Sequence, residues 1–108
     1  MIGRKSQTRL GYAERIARVA THIAGHLDGD LSLERLAGIA CLSPYHFHRI
    51  YRAMTGETTA ETARRLRLHR AAHGLVASQS SIARIANQAG YGSVAAFTRA
   101  FATSYGLA

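Results

Sequence analysis

The sequence contains one cysteine, one proline and only six acidic residues in 108. Because Cys41 is alone, no internal disulfide can form, which fits a reducing compartment such as the cytoplasm. No run of about 18 apolar residues occurs, so no membrane span is expected. The basic start, Met1–Arg9, is not followed by the apolar core of a secretory signal. None of the carboxylates falls in a catalytic motif, and no Gly-rich phosphate loop is present, so neither an enzyme nor a cofactor site is expected. His22/His26 and His69/His73 have the i,i+4 spacing of helical metal ligands. Neither pair has a nearby cysteine or a well-placed carboxylate, and both stand among arginines that repel a cation, so no metal is expected.

What is present is positive charge on a foldable chain. Fourteen basic residues give a net charge of +8, and thirteen of them are arginine. That balance favours polyanionic partners, and the guanidinium fork suits phosphates and guanine edges better than a lysine ammonium does. With 47% hydrophobic residues the chain is not a disordered basic tail, and its length suits one domain with a modest core.

The most sharply punctuated stretch runs from Ser43 to Gly56. Ser43 can cap a helix, Pro44 suits its first position and Gly56 can take the left-handed conformation after its end. Phe47, Ile50, Tyr51 and Met54 fall at i, i+3, i+4 and i+7, which predicts one buried stripe. The opposite face carries Tyr45, His48, Arg49 and Arg52 and no acid, a set that can read base edges in a major groove. An ordinary amphipathic helix with a solvated basic face would look the same in isolation.

In chain order, residues 1–11 lack periodicity and read as a flexible arm. Ile16, Val19, Ala20, Ile23 and Leu27 predict a first helix from Tyr12 to Leu27, broken by Asp28-Gly29-Asp30. Ser32 caps a short helix from Leu33 to about Ala40 that buries Leu33, Leu36, Ala37 and Ala40. A turn at Cys41-Leu42-Ser43 then leads into the punctuated stretch, completing a helix-turn-helix. The usual turn glycine is absent, and Cys41 reads as a small buried turn residue. A longer helix is predicted from Thr58 to about Ala77, with a seam of Leu68, Ala72, Leu75 and Val76, a weak point at Gly74, and polar turn chemistry at Ser78-Gln79-Ser80-Ser81.

A repeat follows. Ser81, Ile82, Arg84, Ile85, Ala86 and Ala89 repeat Ser32, Leu33, Arg35, Leu36, Ala37 and Ala40 at an offset of 49. Ser93, Phe97, Arg99 and Phe101 repeat Ser43, Phe47, Arg49 and Tyr51 at an offset of 50. Ordered matches of caps, arginines and aromatics are more than short amphipathic helices share by chance. The predicted fold is therefore all-α: a half at about 12–56, a linker helix at about 58–77 and a second half at about 81–108. A linker of twenty residues would span roughly 30 Å, comparable with the ~34 Å between successive major grooves on one DNA face. Such a chain would read an asymmetric site as a monomer.

These motifs resemble those of the AraC/XylS-type transcription regulators. The resemblance is carried by Leu-Ser-Leu-Glu-Arg-Leu-Ala (31–37), Ser-Pro-Tyr-His-Phe-His-Arg-Ile-Tyr (43–51) and Arg-Leu-Arg-Leu-His-Arg-Ala-Ala (65–72). Ile-Ala-x-x-Ala-Gly-Tyr (85–91) and Phe-Thr-Arg-Ala-Phe (97–101) extend it over roughly 12–108. It implies a bacterial, cytoplasmic, double-stranded-DNA-binding domain of about seven helices, the last shortened here, that activates or represses promoters beside RNA polymerase. It implies base contacts from Tyr45, His48 and Arg49, with Arg99 as the charged reader of the second half. Contacts to phosphates are implied for His46, Arg64 and Thr98, and Arg52 lies on the same basic face. The resemblance also implies an effector-binding domain absent from this chain, of the gyrase-inhibitor-like kind for the His-Phe-His-Arg version.

Two departures from the family pattern stand out. Thr62 occupies a linker position that commonly holds an aromatic, which is expected to loosen the joint between the halves. Val94, Ala95, Ala96 and Ala102 stand where polar readers are often found, so the second half is expected to grip phosphates and groove shape more than sequence. The reading from another class is a basic helical module docking on an acidic protein such as RNA polymerase.

Overall fold

The computed structural model describes residues 4–77 and 81–106, with side chains described for 11–75 and 81–106. Six helices make up the described chain: α1 (Arg4–Gly25), α2 (Leu33–Ile39), α3 (Pro44–Thr55), α4 (Thr59–Ala77), α5 (Ile82–Gln88) and α6 (Val94–Ser104). Among the described residues there are thus six rather than about seven. They form two compact units divided within α4, Met1–Ala63 and Arg64–Ala108.

In the first unit α1, α2 and α3 pack on one another. The core is built from Ile16, Val19, Ile23 and Leu27, from Leu36, Ala37 and Ala40, and from Phe47 and Tyr51. These are the stripes set by the 3.6-residue period, with Ala20, Leu33 and Ile50 only half-buried at their edges and two further corrections. Met54 is 42% exposed, because the last turn of α3 runs past the edge of the core. Helix α1 begins at Arg4, not Tyr12. No apolar period demands those residues, but once a helix is nucleated each added residue gains a hydrogen bond at little cost.

Thr62 also departs from expectation. It is buried within the first unit, where its hydroxyl shares a 2.6 Å hydrogen bond with the Tyr51 hydroxyl. The same oxygen lies 2.7 Å from Glu57 Oε1 and 3.2 Å from the Thr58 carbonyl. A small polar side chain here completes a network where an aromatic would fill space, so Thr62 fastens the end of α3 to the start of α4.

The second unit gathers Leu68 and Ala71 of α4, Ile85, Ala86 and Ala89, and Phe97 of α6 into one cluster, with Tyr91, Ala100 and Phe101 packed against it. Phe97 meets Tyr91 edge-on at 5.6 Å and Phe101 at 5.9 Å. Of the predicted α4 seam, Leu68 is buried and Ala72 half-buried, but Leu75 is 39% exposed. The seam runs through Ala71, one position from Ala72. The Val76 side chain and Ser78–Ser80 lie outside the described residues. Gly74 does not end the helix; a methyl group there would meet Ile85 Cδ1 at 3.8 Å, an ordinary contact.

Candidate nucleic-acid interface

Each short helix starts on the serine that the repeat assigns to it. Ser32 Oγ accepts from the Arg35 N–H at 3.3 Å and Ser81 Oγ from the Arg84 N–H at 3.2 Å. At the second helix of each pair, Ser43 Oγ accepts from the His46 N–H at 3.3 Å and Ser93 Oγ from the Ala96 N–H at 3.1 Å. Each cap satisfies a backbone donor that would otherwise face solvent unpaired. Pro44 occupies the start of α3, and Gly56 ends it at φ 81°.

The turns between the paired helices are also copies. In the first, the Cys41 N–H donates to the Gly38 carbonyl at 3.1 Å and the Leu42 N–H to the Ala37 carbonyl at 3.0 Å. In the second, the Gly90 N–H donates to Asn87 and the Tyr91 N–H to Ala86, each at 3.0 Å. These are the paired bonds of a Schellman motif, whose C′ residue is left-handed. Gly90 meets that requirement at φ 92°, whereas Cys41 adopts φ 57° with a side chain attached. Cys41 is exposed, which corrects the expectation of a buried residue: left-handed backbone turns its side chain toward solvent. It occupies the place of the missing turn glycine.

With both ends of α3 fixed, residues 45, 48, 49 and 52 lie on one face, and Tyr45, His48, Arg49 and Arg52 are all exposed. The Arg49 guanidinium carbon sits 5.8 Å from the centre of the Tyr45 ring. His46, beside this face, meets Tyr12 of α1 edge-on at 5.7 Å, and the Arg15 guanidinium lies 5.9 Å from the same Tyr12 ring. Tyr45, His46, Arg49, Ile50 and Ala53 line a shallow groove along the helix. The sequence places Arg15 on one face of the first helix with Arg18, His22 and His26, but the neighbourhood of Tyr12 and Arg15 with His46 arises from packing between helices.

On α6 the corresponding face holds Ala95, Thr98, Arg99 and Ala102. Arg99 and Thr98 are exposed. The Thr98 hydroxyl donates to the Val94 carbonyl at 2.8 Å, so donating to a phosphate would require it to rotate away. Arg64, at the start of the second unit, is exposed. Tyr45, His48, Arg49 and Arg52 therefore share one face with His46 at its edge, while Thr98 and Arg99 share another.

Charge divides unevenly between the units. All six acidic side chains (Glu14, Asp28, Asp30, Glu34, Glu57 and Glu61) lie in the first, whereas Arg64–Ala108 contains six arginines and no aspartate or glutamate. His22 and His26 stack face to face at 4.0 Å, with ring planes 11° apart and the His26 Nδ1–H donating to the His22 carbonyl at 2.8 Å. Desolvation first, then the nearby His26 and Arg35 charges, hold the His22 imidazole below its ordinary range. Among the described residues no three His, Cys, Asp or Glu side chains converge as metal ligands, and no helix is long and apolar enough to cross a membrane.

Comparison with known proteins agrees with this geometry. A family profile described as "Helix-turn-helix domain" matches residues 36–108. The MmsAB operon regulatory protein of Pseudomonas aeruginosa is 38% identical over 82 residues, covering 76% of this chain and 27% of that protein. The chain thus spans only about a quarter of that relative's length. A transcriptional regulator with an AraC-type DNA-binding domain, from Chromobacterium violaceum, superposes with a TM-score of 0.79 over 91% of this chain and 88% of that one, at 19% identity. The DNA-binding domain of the global transcriptional factor AdpA, solved in complex with a target DNA, superposes with a TM-score of 0.70 at 27% identity, over 86% of this chain and 84% of its own. The reading as a module for an acidic protein partner finds no support in these likenesses.

Proposed function

The chain belongs to the AraC-type helix-turn-helix regulators, and from that premise we propose that it regulates transcription by binding an asymmetric promoter site, with α3 and α6 entering adjacent major grooves. The carrying observation is that both helix pairs carry the same two serine caps, the same turn and the same recognition-helix arginine, Arg49 and Arg99. Helix α4 has 19 residues, about 28 Å at 1.5 Å per residue, which suits the ~34 Å groove repeat. Two units in one chain supply what a helix-turn-helix dimer obtains by symmetry, so the chain acts as a monomer.

Each group has a role that suits its chemistry. Arg49 and His48 make directional bonds to base edges, with Tyr45 beside them and Arg99 as the second unit's charged reader. His46, Arg52 and Arg64 lie against phosphates and set the register, as does the Thr98 hydroxyl once rotated from Val94. With Ala95 and Ala102 flanking Arg99, the second unit contributes grip and a response to groove shape more than sequence. The output is activation or repression beside RNA polymerase in the cytoplasm.

The test begins with duplexes selected from a random pool by this chain. Arg49→Ala should weaken binding to the selected duplex far more than to random duplex, since a good bidentate arginine contact contributes roughly 1–3 kcal/mol of discrimination. Arg99→Ala should lower both more evenly. If Arg99→Ala erases more discrimination than Arg49→Ala at the same salt concentration, the division of roles is wrong.

A further inference from the structure

One side chain on the α3 face differs in kind from its neighbours. Tyr45 is 73% exposed, more than any other large hydrophobic side chain described, so burial does not account for an aromatic ring there. Its ring instead lies beside the Arg49 guanidinium, one helical turn on, within the range in which a cation is drawn to an aromatic face. A solvated arginine samples many rotamers, whereas a bidentate contact to guanine needs the guanidinium fork in one plane and one direction.

The tandem repeat contains its own control. Arg99 occupies the register of Arg49, but the position one turn before it is Ala95, which carries no ring. The two arginines thus share caps and helix and differ in their platform. We propose that Tyr45 is a positioning residue that holds the Arg49 guanidinium ready for base recognition, and that the missing ring at position 95 is what leaves Arg99 a weak reader. The proposal rests on the DNA-binding reading above and adds to it that Tyr45 acts through Arg49 rather than through a base contact of its own.

The experiment measures equilibrium binding, at one fixed salt concentration, to the selected duplex and to a scrambled duplex. Tyr45→Phe keeps the π face and should leave the affinity ratio within about twofold of the parent. Tyr45→Leu keeps apolar bulk but loses the face, and should lower the ratio about three- to fivefold, as expected for an exposed cation–π contact. In an Arg49→Ala background Tyr45→Leu should change the ratio no further. Ala95→Tyr should raise discrimination at the bases facing α6 about twofold or more.

A loss with Tyr45→Phe equal to that with Tyr45→Leu would overturn the proposal in favour of a hydroxyl contact. Additive losses in the Arg49→Ala background would overturn it in favour of an independent base contact, and no gain from Ala95→Tyr would remove its second half. A second readout needs no DNA: Arg49 side-chain protons should show an upfield ring-current shift that Tyr45→Leu abolishes. Absence of that shift in the parent protein sinks the platform even if DNA recognition stands. A parent protein that binds both duplexes equally sinks the DNA-reading function itself, and the proposal with it.

Discussion

Replacing Cys41 by glycine should stabilise the first unit. The residue sits at φ 57° in the Schellman turn between α2 and α3, where Gly90 stands in the other copy at φ 92°. Left-handed backbone costs a residue with a Cβ roughly 1–2 kcal/mol relative to glycine. Introducing glycine also frees the unfolded chain, which costs about 0.4–1 kcal/mol of stability. Because Cys41 is exposed, no core contact is lost. The difference is a net gain of about 0.5–1 kcal/mol. Urea unfolding followed by circular dichroism at 222 nm should show a higher midpoint with an unchanged slope, the mark of a stability change rather than altered compactness. Gly90→Ala is the mirror test and should destabilise the second unit by a similar amount. A lower midpoint for Cys41→Gly, or a neutral Gly90→Ala, would refute the assignment of strain to this turn.

Further outcomes follow from the same structure. Thr62→Val keeps the shape but removes the 2.6 Å hydrogen bond between the Thr62 and Tyr51 hydroxyls, and should cost about 0.5–1.5 kcal/mol in denaturant unfolding. In a Tyr51→Phe background that cost should shrink, because the bond between the two hydroxyls is then already gone. DNA affinity should fall steeply with salt, with a log–log slope of magnitude ~4 or more in a titration series, since each neutralised phosphate contributes about 0.9. His22 is held below its ordinary range when folded, so the unfolded state binds its proton first as pH falls. Stability should therefore decline below about pH 6.5, and His22→Gln should flatten that part of a pH–stability curve.

Local signals made most of this fold legible. The four serines, Pro44 and Gly56 each act within one helical turn, and all appear where their chemistry placed them. The repeat added the second helix pair because Arg99 and Phe97 restate Arg49 and Phe47. What escaped depended on neighbours remote in sequence or on chain ends. Periodicity placed Met54 and Leu75 inward without showing where the core stops. Thr62 looked like a gap because its partners, Tyr51 and Glu57, are joined to it only by the turn after α3. Cys41 looked buried because a small apolar side chain says nothing of a left-handed backbone. The Tyr45–Arg49 pair was visible as a spacing, but its meaning required the ring to be found exposed.

The absence of carboxylates from the second unit bears on how it would meet a polyanion. Arginine remains charged at any pH a cell reaches, and no aspartate or glutamate in Arg64–Ala108 can gain a proton. Six arginines there stand with no side-chain carboxylate in the same unit to offset them, so the unit's attraction to phosphate weakens as added salt screens it. The first unit, holding every acidic side chain, meets the same polyanion with both signs of charge. One polypeptide thus couples an acid-free cationic anchor to a reader of mixed charge, and added salt should loosen the hold on duplexes in general more than it alters which duplex is preferred.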